Sequence, residues 1–265
     1  MSASPDSAAL AVPPPIPVAA SAVPRPPRTW YFWGSTVFVL LAFLANTVAG
    51  GAIFFALLIH YDVQVTSLDE LRALAHQRGW IELIMVLATP FSLAVLWGAT
   101  RIARQGFSDY LGLHWPERRE FFRGLAMVLA LLLAWFLFGW AIGQKSSAFV
   151  VDAYSNARTN GWLPVLVIAF CVAAPVGEEF IIRGFLLRGW SQSFLRPLGA
   201  IVLSSAAWTA LHTQYNWFYL SEIFAIGLLL GYLRYRSGST WLTVSLHAVI
   251  NLIALVEVAV IVAYR

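Results

Sequence analysis

Long apolar runs separated by short polar or basic connections dominate the chain. Runs of about 20 apolar residues are long enough to cross a bilayer as helices. They recur at 31–59, 80–100, 122–142, 162–187, 198 to at least 212, 217–235 and 240–263. This pattern predicts an all-α, polytopic integral membrane bundle of about seven transmembrane helices, or eight if the long first run or an interfacial helix adds one. The alternating ten-residue segments of a membrane barrel are absent. Residues 1–29 are rich in proline, alanine and serine and are expected to form a disordered tail, leaving 30–265 as a single transmembrane domain. No cationic segment leads into a short apolar core, so no cleaved signal peptide is expected.

Composition agrees with the pattern. The chain is 60% apolar and 11% charged, far from the roughly 25% charged residues of a soluble domain. The net charge of +4 does not point to nucleic acid, because the arginines gather beside the spans. Arg25 and Arg28 precede the first run, and Arg101, Arg104, Arg118, Arg119 and Arg123 surround the connection between the second and third. Both clusters favour a cytoplasmic N-terminus, and a bacterial cytoplasmic membrane is the expected location. The single cysteine, Cys171, lies inside a span, so no internal disulfide forms.

Against this background the polar residues inside spans stand out. Ionised carboxylates in hydrocarbon cost at least a few kcal/mol, so they face a protein interior or a wet cavity and are functional candidates. The fourth run contains Glu178 and Glu179 with Arg183 four residues on, and Pro175 just before them. On a helix Glu179 and Arg183 share a face and can pair, whereas Glu178 points about 100° away and needs a partner elsewhere. Pro175 removes a backbone donor and frees a carbonyl, which predicts a kink or local widening. His212 and His247 fall in the fifth and seventh runs, with Trp208 four before the first and Asn251 four after the second. Glu178 and His212 are equally distant from the turn at Leu195, so an antiparallel hairpin brings them to similar depths. Two further carboxylates, Glu222 and Glu257, also lie in spans and receive no role from sequence.

These groups suit peptide hydrolysis. A carboxylate in an apolar, partly wet cavity can act as a general base, so Glu178 would activate water with His212 orienting it. His247 and Asn251 would donate hydrogen bonds to the oxyanion of a tetrahedral intermediate. Glu179 and Arg183 would support the helix from behind. The alternative is a buried polar network that fixes helix packing.

The same residues resemble a known family, the type II CAAX prenyl endopeptidases and their bacterial relatives, the CPBP or abortive-infection membrane proteases. The shared pattern is Glu-Glu-x-x-x-Arg, aromatic-x-x-x-His and His-x-x-x-Asn on separate spans. Here it reads Glu178-Glu179 to Arg183, Trp208 to His212, and His247 to Asn251. The stretch from Gly227 to Arg234, with Gly238, Ser239 and Trp241, is also similar, and the resemblance covers about 163–255. It implies an intramembrane endopeptidase in which Glu178 and His212 activate water and His247 with Asn251 stabilise the oxyanion. Trp208 stands where phenylalanine is more usual. The implied partners are the bilayer and a membrane-associated or lipidated protein or peptide. Substrate, cleavage position and oligomeric state are not carried over.

Other readings stay open. No cofactor is expected from the residues, yet Glu178, His212 and His247 have the donor types of a His₂Glu zinc site, although no His-Glu-x-x-His is present. Serine and aspartyl intramembrane proteases fit worse, since Gly-x-Ser-x-Gly and Gly-x-Gly-Asp are absent. A non-enzymatic scaffold or immunity protein, or a transporter using Glu178, Glu222 or Glu257 as proton carriers, would keep the same polar residues.

Overall fold

The computed structural model describes residues 28–64 and 67–264, with the side chains of Leu68 and His76 left out. The expected tail therefore falls outside the described residues except for Arg28 and Thr29. Arg28 is tied to the bundle: its N–H donates to the Ala103 carbonyl at 2.9 Å and its carbonyl accepts from Gln105 Nε2 at 2.6 Å.

Among the described residues the regular structure is entirely helical. In chain order the helices are α1 (Phe32–His60), α2 (Leu68–Gln77), α3 (Trp80–Ile102), α4 (Phe107–Leu111), α5 (Arg118–Ala141), α6 (Ala148–Thr159), α7 (Leu163–Ser191), α8 (Arg196–Ala210), α9 (Trp217–Ser237) and α10 (Thr240–Ala263). Six of them, α1, α3, α5, α7, α9 and α10, are long and apolar enough to cross a membrane. The chain is an all-α polytopic membrane bundle. Large apolar side chains such as Trp33, Leu40, Phe136 and Val260 are exposed on its outside. That surface suits lipid, which offers no hydrogen bonds and leaves the backbone to satisfy itself within helices.

The fifth expected span is shorter than the sequence pattern indicated. The helix α8 has 15 residues and ends at Ala210, so His212 lies just beyond it rather than inside it. The cause is local: His212 N–H turns back to the Thr209 carbonyl at 2.9 Å, and the following residues form a polar connection. Asn216 then starts α9, its side chain accepting from the Tyr219 N–H. Such a cap satisfies a donor that the helix itself cannot. The stretches expected as outer loops also carry the short helices α2 and α6.

The central element is α7. Half of its most apolar window is buried, against 11% to 33% for the other spans, so the rest of the bundle is built around it. Next to it α8 and α9 approach closely because small residues face them. A Cβ on Gly227 would lie 2.9 Å from Ser205 Cβ, and one on Gly231 would lie 3.1 Å from Ile201 Cγ2. Close backbone approach over small residues is a common way for helices to associate in a membrane. Between α9 and α10 the chain reverses at Gly238, whose φ of +71° is one that side-chain-bearing residues rarely adopt. Ser239 then caps α10 by accepting from the Leu242 N–H.

Arginines do more at one end of the bundle than bias topology. Arg188 donates to the carbonyls of Asp109 and Tyr110, at 2.8 and 2.6 Å, and lies over the Tyr110 ring. Arg234 donates to the Leu111 carbonyl at 3.1 Å and to Thr240 Oγ1 at 2.8 Å. These guanidiniums bind the last carbonyls of α4, which lack partners inside the helix. They pin the basic connection to α7, α9 and α10.

Candidate active site

Each polar motif is placed by its own helix, and Trp208 joins them. Its Nε1–H donates to Glu178 Oε2 at 2.6 Å, supplying the partner that Glu178 lacks on its own helix. Its carbonyl lies 2.9 Å from His212 Nδ1. Its ring meets the rings of His212 and His247 edge-on, with centroids 5.0 and 5.4 Å apart. The Arg183 guanidinium carbon sits 4.3 Å from the Trp208 ring centroid on another side, within cation–π range.

Behind this ring is a buried ionic group. Glu179 is fully buried, and its Oε1 accepts from Arg183 Nη1 at 2.8 Å and faces His247 Nδ1 at 3.0 Å. Arg183 is 1% exposed and also reaches the Gly227 carbonyl at 3.5 Å. Charges this deep persist only when paired, and removing one partner leaves the others uncompensated.

The contacts also orient both imidazoles. A carbonyl oxygen only accepts, so the hydrogen in the His212 contact is on Nδ1 and the lone pair of Nε2 is left for other use. In His247 the same nitrogen faces the Glu179 carboxylate, again presenting Nε2. The two rings are thus fixed by different acceptors, one backbone and one ionic.

Asn251 is placed by a defect in α7. Pro175 sits within that helix without a kink of the kind that ends it. The turn at Ala169–Ala173 is widened to π geometry, in which the Ala174 N–H bonds the Ala169 carbonyl five residues back. In that register the next donor would be Pro175, which has none. The Phe170 carbonyl is thereby freed, and Asn251 Nδ2 donates to it at 2.7 Å. A second widened stretch, Phe180–Leu186, carries Arg183.

The structure brings Glu178, Glu179, Arg183, Trp208, His212 and His247 into one contiguous group. Asn251 lies one turn beyond His247 on the same face of α10 and is anchored to α7. Two residues escaped the sequence reading. Tyr215 packs against His212, with ring centroids 6.1 Å apart. Its phenol is a hydroxyl donor at neutral pH. Thr243 lies beside Glu179. Thr243 was readable as the residue four before His247, whereas the polar connection that carries Tyr215 offered no periodicity. Among the described residues, no three His, Cys, Asp or Glu side chains lie close enough together to hold a metal ion.

Comparison with known proteins bears on the same region. Residues 160–253 match the family described as Rce1-like, type II CAAX prenyl endopeptidase. An Escherichia coli relative, described as an uncharacterized 24.3 kDa protein, is 31% identical over 115 residues, which is 42% of this chain and 52% of the relative. The chain thus spans about half the length of the curated relative it matches. No solved structure matches it. Over 160–253, the stretch holding all seven motif residues of the site, the chain resembles the Rce1-like type II CAAX prenyl endopeptidases.

Proposed function

We propose that this protein is an endopeptidase of the membrane interior that hydrolyses a peptide bond in a membrane-associated or lipidated protein or peptide. The observation that supports this best is the meeting of three motifs at Trp208, which places a carboxylate and two oriented imidazoles around one ring. In this reading Glu178 takes a proton from water, and the resulting hydroxide attacks the scissile carbonyl. Nε2 of His212 accepts a hydrogen bond from that water and holds it in line.

The oxyanion then forms between His247 and Asn251. Asn251 keeps one Nδ2 hydrogen on Phe170 and has the other to donate. His247 donates through Nε2, its ring held by the contact of Nδ1 with Glu179. On collapse the C–N bond breaks and the proton held by Glu178 passes to the leaving amine, so the carboxylate is restored. No step of this route needs a metal.

The location follows from charge. Arg28 and the arginines within 101–123, 188–196 and 234–236 gather at one end of the bundle, to which the start of α1 is tied, whereas Arg72, Arg78 and Arg158 lie toward the other. By the positive-inside rule this end, with the N-terminus, faces the cytoplasm of a bacterial cell.

The test is cleavage of tethered and lipidated peptides by the purified protein, Glu178→Gln and His212→Ala, with and without chelator. Loss of about 100-fold or more in each folded variant, indifferent to chelator, is the expected result. Cleavage that survives both substitutions overturns the assignment. Chelator-sensitive cleavage restored by zinc overturns the metal-free route. Ion-coupled uptake in vesicles without cleavage would favour the transporter.

A further inference from the structure

A groove of about 790 Å³, open on its outer side where Phe136, Trp140 and Val260 are exposed, lies between α5, α9, α10 and the α5–α6 connection. Its wall is mainly apolar, with Leu132, Phe136, Ile223 and Ile250 among its side chains, and it reaches Asn251. Two carboxylates that the hydrolytic route does not use, Glu222 and Glu257, also line it. Among the described residues Glu222 makes no hydrogen bond and feels the charge of Glu257, whose own carboxylate is hydrogen-bonded to Ser146. Nε1 of Trp135, on the same wall, is buried and has no hydrogen-bond partner.

A large apolar pocket with a few placed polar groups has the character of a ligand site. Apolar walls alone would suit a lipid chain. Two carboxylates on the same wall do not, because a carboxylate in an apolar site is stabilised by a cation that pairs with it. A lysine or arginine side chain meets both demands, with an aliphatic stem for the wall and a positive end for the carboxylates.

We propose that this groove is the subsite for a basic side chain of the substrate, with Glu222 and Glu257 as its recognition groups. The proposal rests on the protease reading above and gives it a specificity. Glu257 is six positions along α10 from Asn251, about 9 Å at the rise of a helix. An extended peptide covers that in about three residues. The preferred substrate therefore carries lysine or arginine about three residues from the bond that is cut.

Binding can be read without hydrolysis. The full-length Glu178→Gln protein in phosphatidylcholine nanodiscs is titrated with a dye-labelled leucine-rich peptide bearing one lysine, and with the same peptide bearing norleucine. The lysine peptide is expected to bind about ten-fold tighter or more, and the preference to fall below about two-fold once Glu222→Gln and Glu257→Gln are added. Equal affinity for the two peptides, no binding of either, or a preference that survives both carboxamides overturns the subsite. If the combined variant does not fold, the single replacements decide, and the subsite fails if neither lowers the preference. Cleavage by the wild type tests the protease reading separately. A lysine scan through a cleaved peptide then locates the basic position relative to the cut.

Discussion

At the residue scale the functional weight falls on Trp208, because it does what phenylalanine at that position cannot. Phenylalanine would keep an aromatic ring beside the two histidines, but it is smaller and has no N–H for Glu178. A hydrogen bond to a charged group contributes about 1.5 to 3 kcal/mol, which is about 10- to 100-fold in rate if it is needed to aim the base. Trp208→Phe is therefore expected to lower kcat by that factor while KM stays near wild type. An unchanged kcat would make the indole a filler. Glu179 behaves differently. Glu179→Ala strands Arg183 in the core and is expected to destabilise the protein by about 3 to 5 kcal/mol, seen as a lower melting temperature. Glu178 is partly exposed, and Glu178→Ala spares the fold. The contrast between adjacent glutamates was legible in the sequence, since only Glu179 is four residues from Arg183. The attachment of Glu178 to Trp208 was not, because spacing along one helix says nothing about which face of another helix turns toward it.

At the scale of elements the widened turn of α7 links Pro175 to Asn251. A proline at that position in the sequence implies a freed carbonyl but does not name its user, which lies 81 residues away. Pro175→Ala restores a backbone donor and lets the turn close, so Asn251 loses its acceptor at Phe170. The expected outcome is a fall in kcat of about ten-fold without loss of helicity by circular dichroism. Retention of full kcat would mean that Asn251 is held by something else. The small-residue seam between α8 and α9 is equally specific. Gly227→Val drives side-chain atoms into Ser205 and is expected to cost about 1 to 3 kcal/mol through overpacking, measured by thermal unfolding in detergent. The seam was visible as Gly227 and Gly231 four apart. The end of α8 was not, because apolar residues continue to Leu211 and the chain leaves the helix only at the polar turn that follows.

At the scale of the whole molecule, charge sorts the two ends of the bundle. Most arginines and the start of α1 share one end, while Arg72, Arg78, Arg158, the α5–α6 connection and His212 share the other. If the arginine end is cytoplasmic, a cysteine at Ser146 reacts with an impermeant maleimide in intact cells, and one at Gln192 does not. The reverse pattern would invert the orientation. The shortness of α8 has a consequence of its own. Fifteen residues at about 1.5 Å each reach about 22 Å, several ångströms short of a hydrocarbon layer about 30 Å thick. The chain beyond Ala210, with His212 and Tyr215, therefore rests below the lipid surface unless the bilayer thins around it. For the peptidase proposed above, acyl-chain length becomes a control: short-chain phosphatidylcholine leaves the histidine wet, and long-chain lipid draws hydrocarbon over the water that would be split.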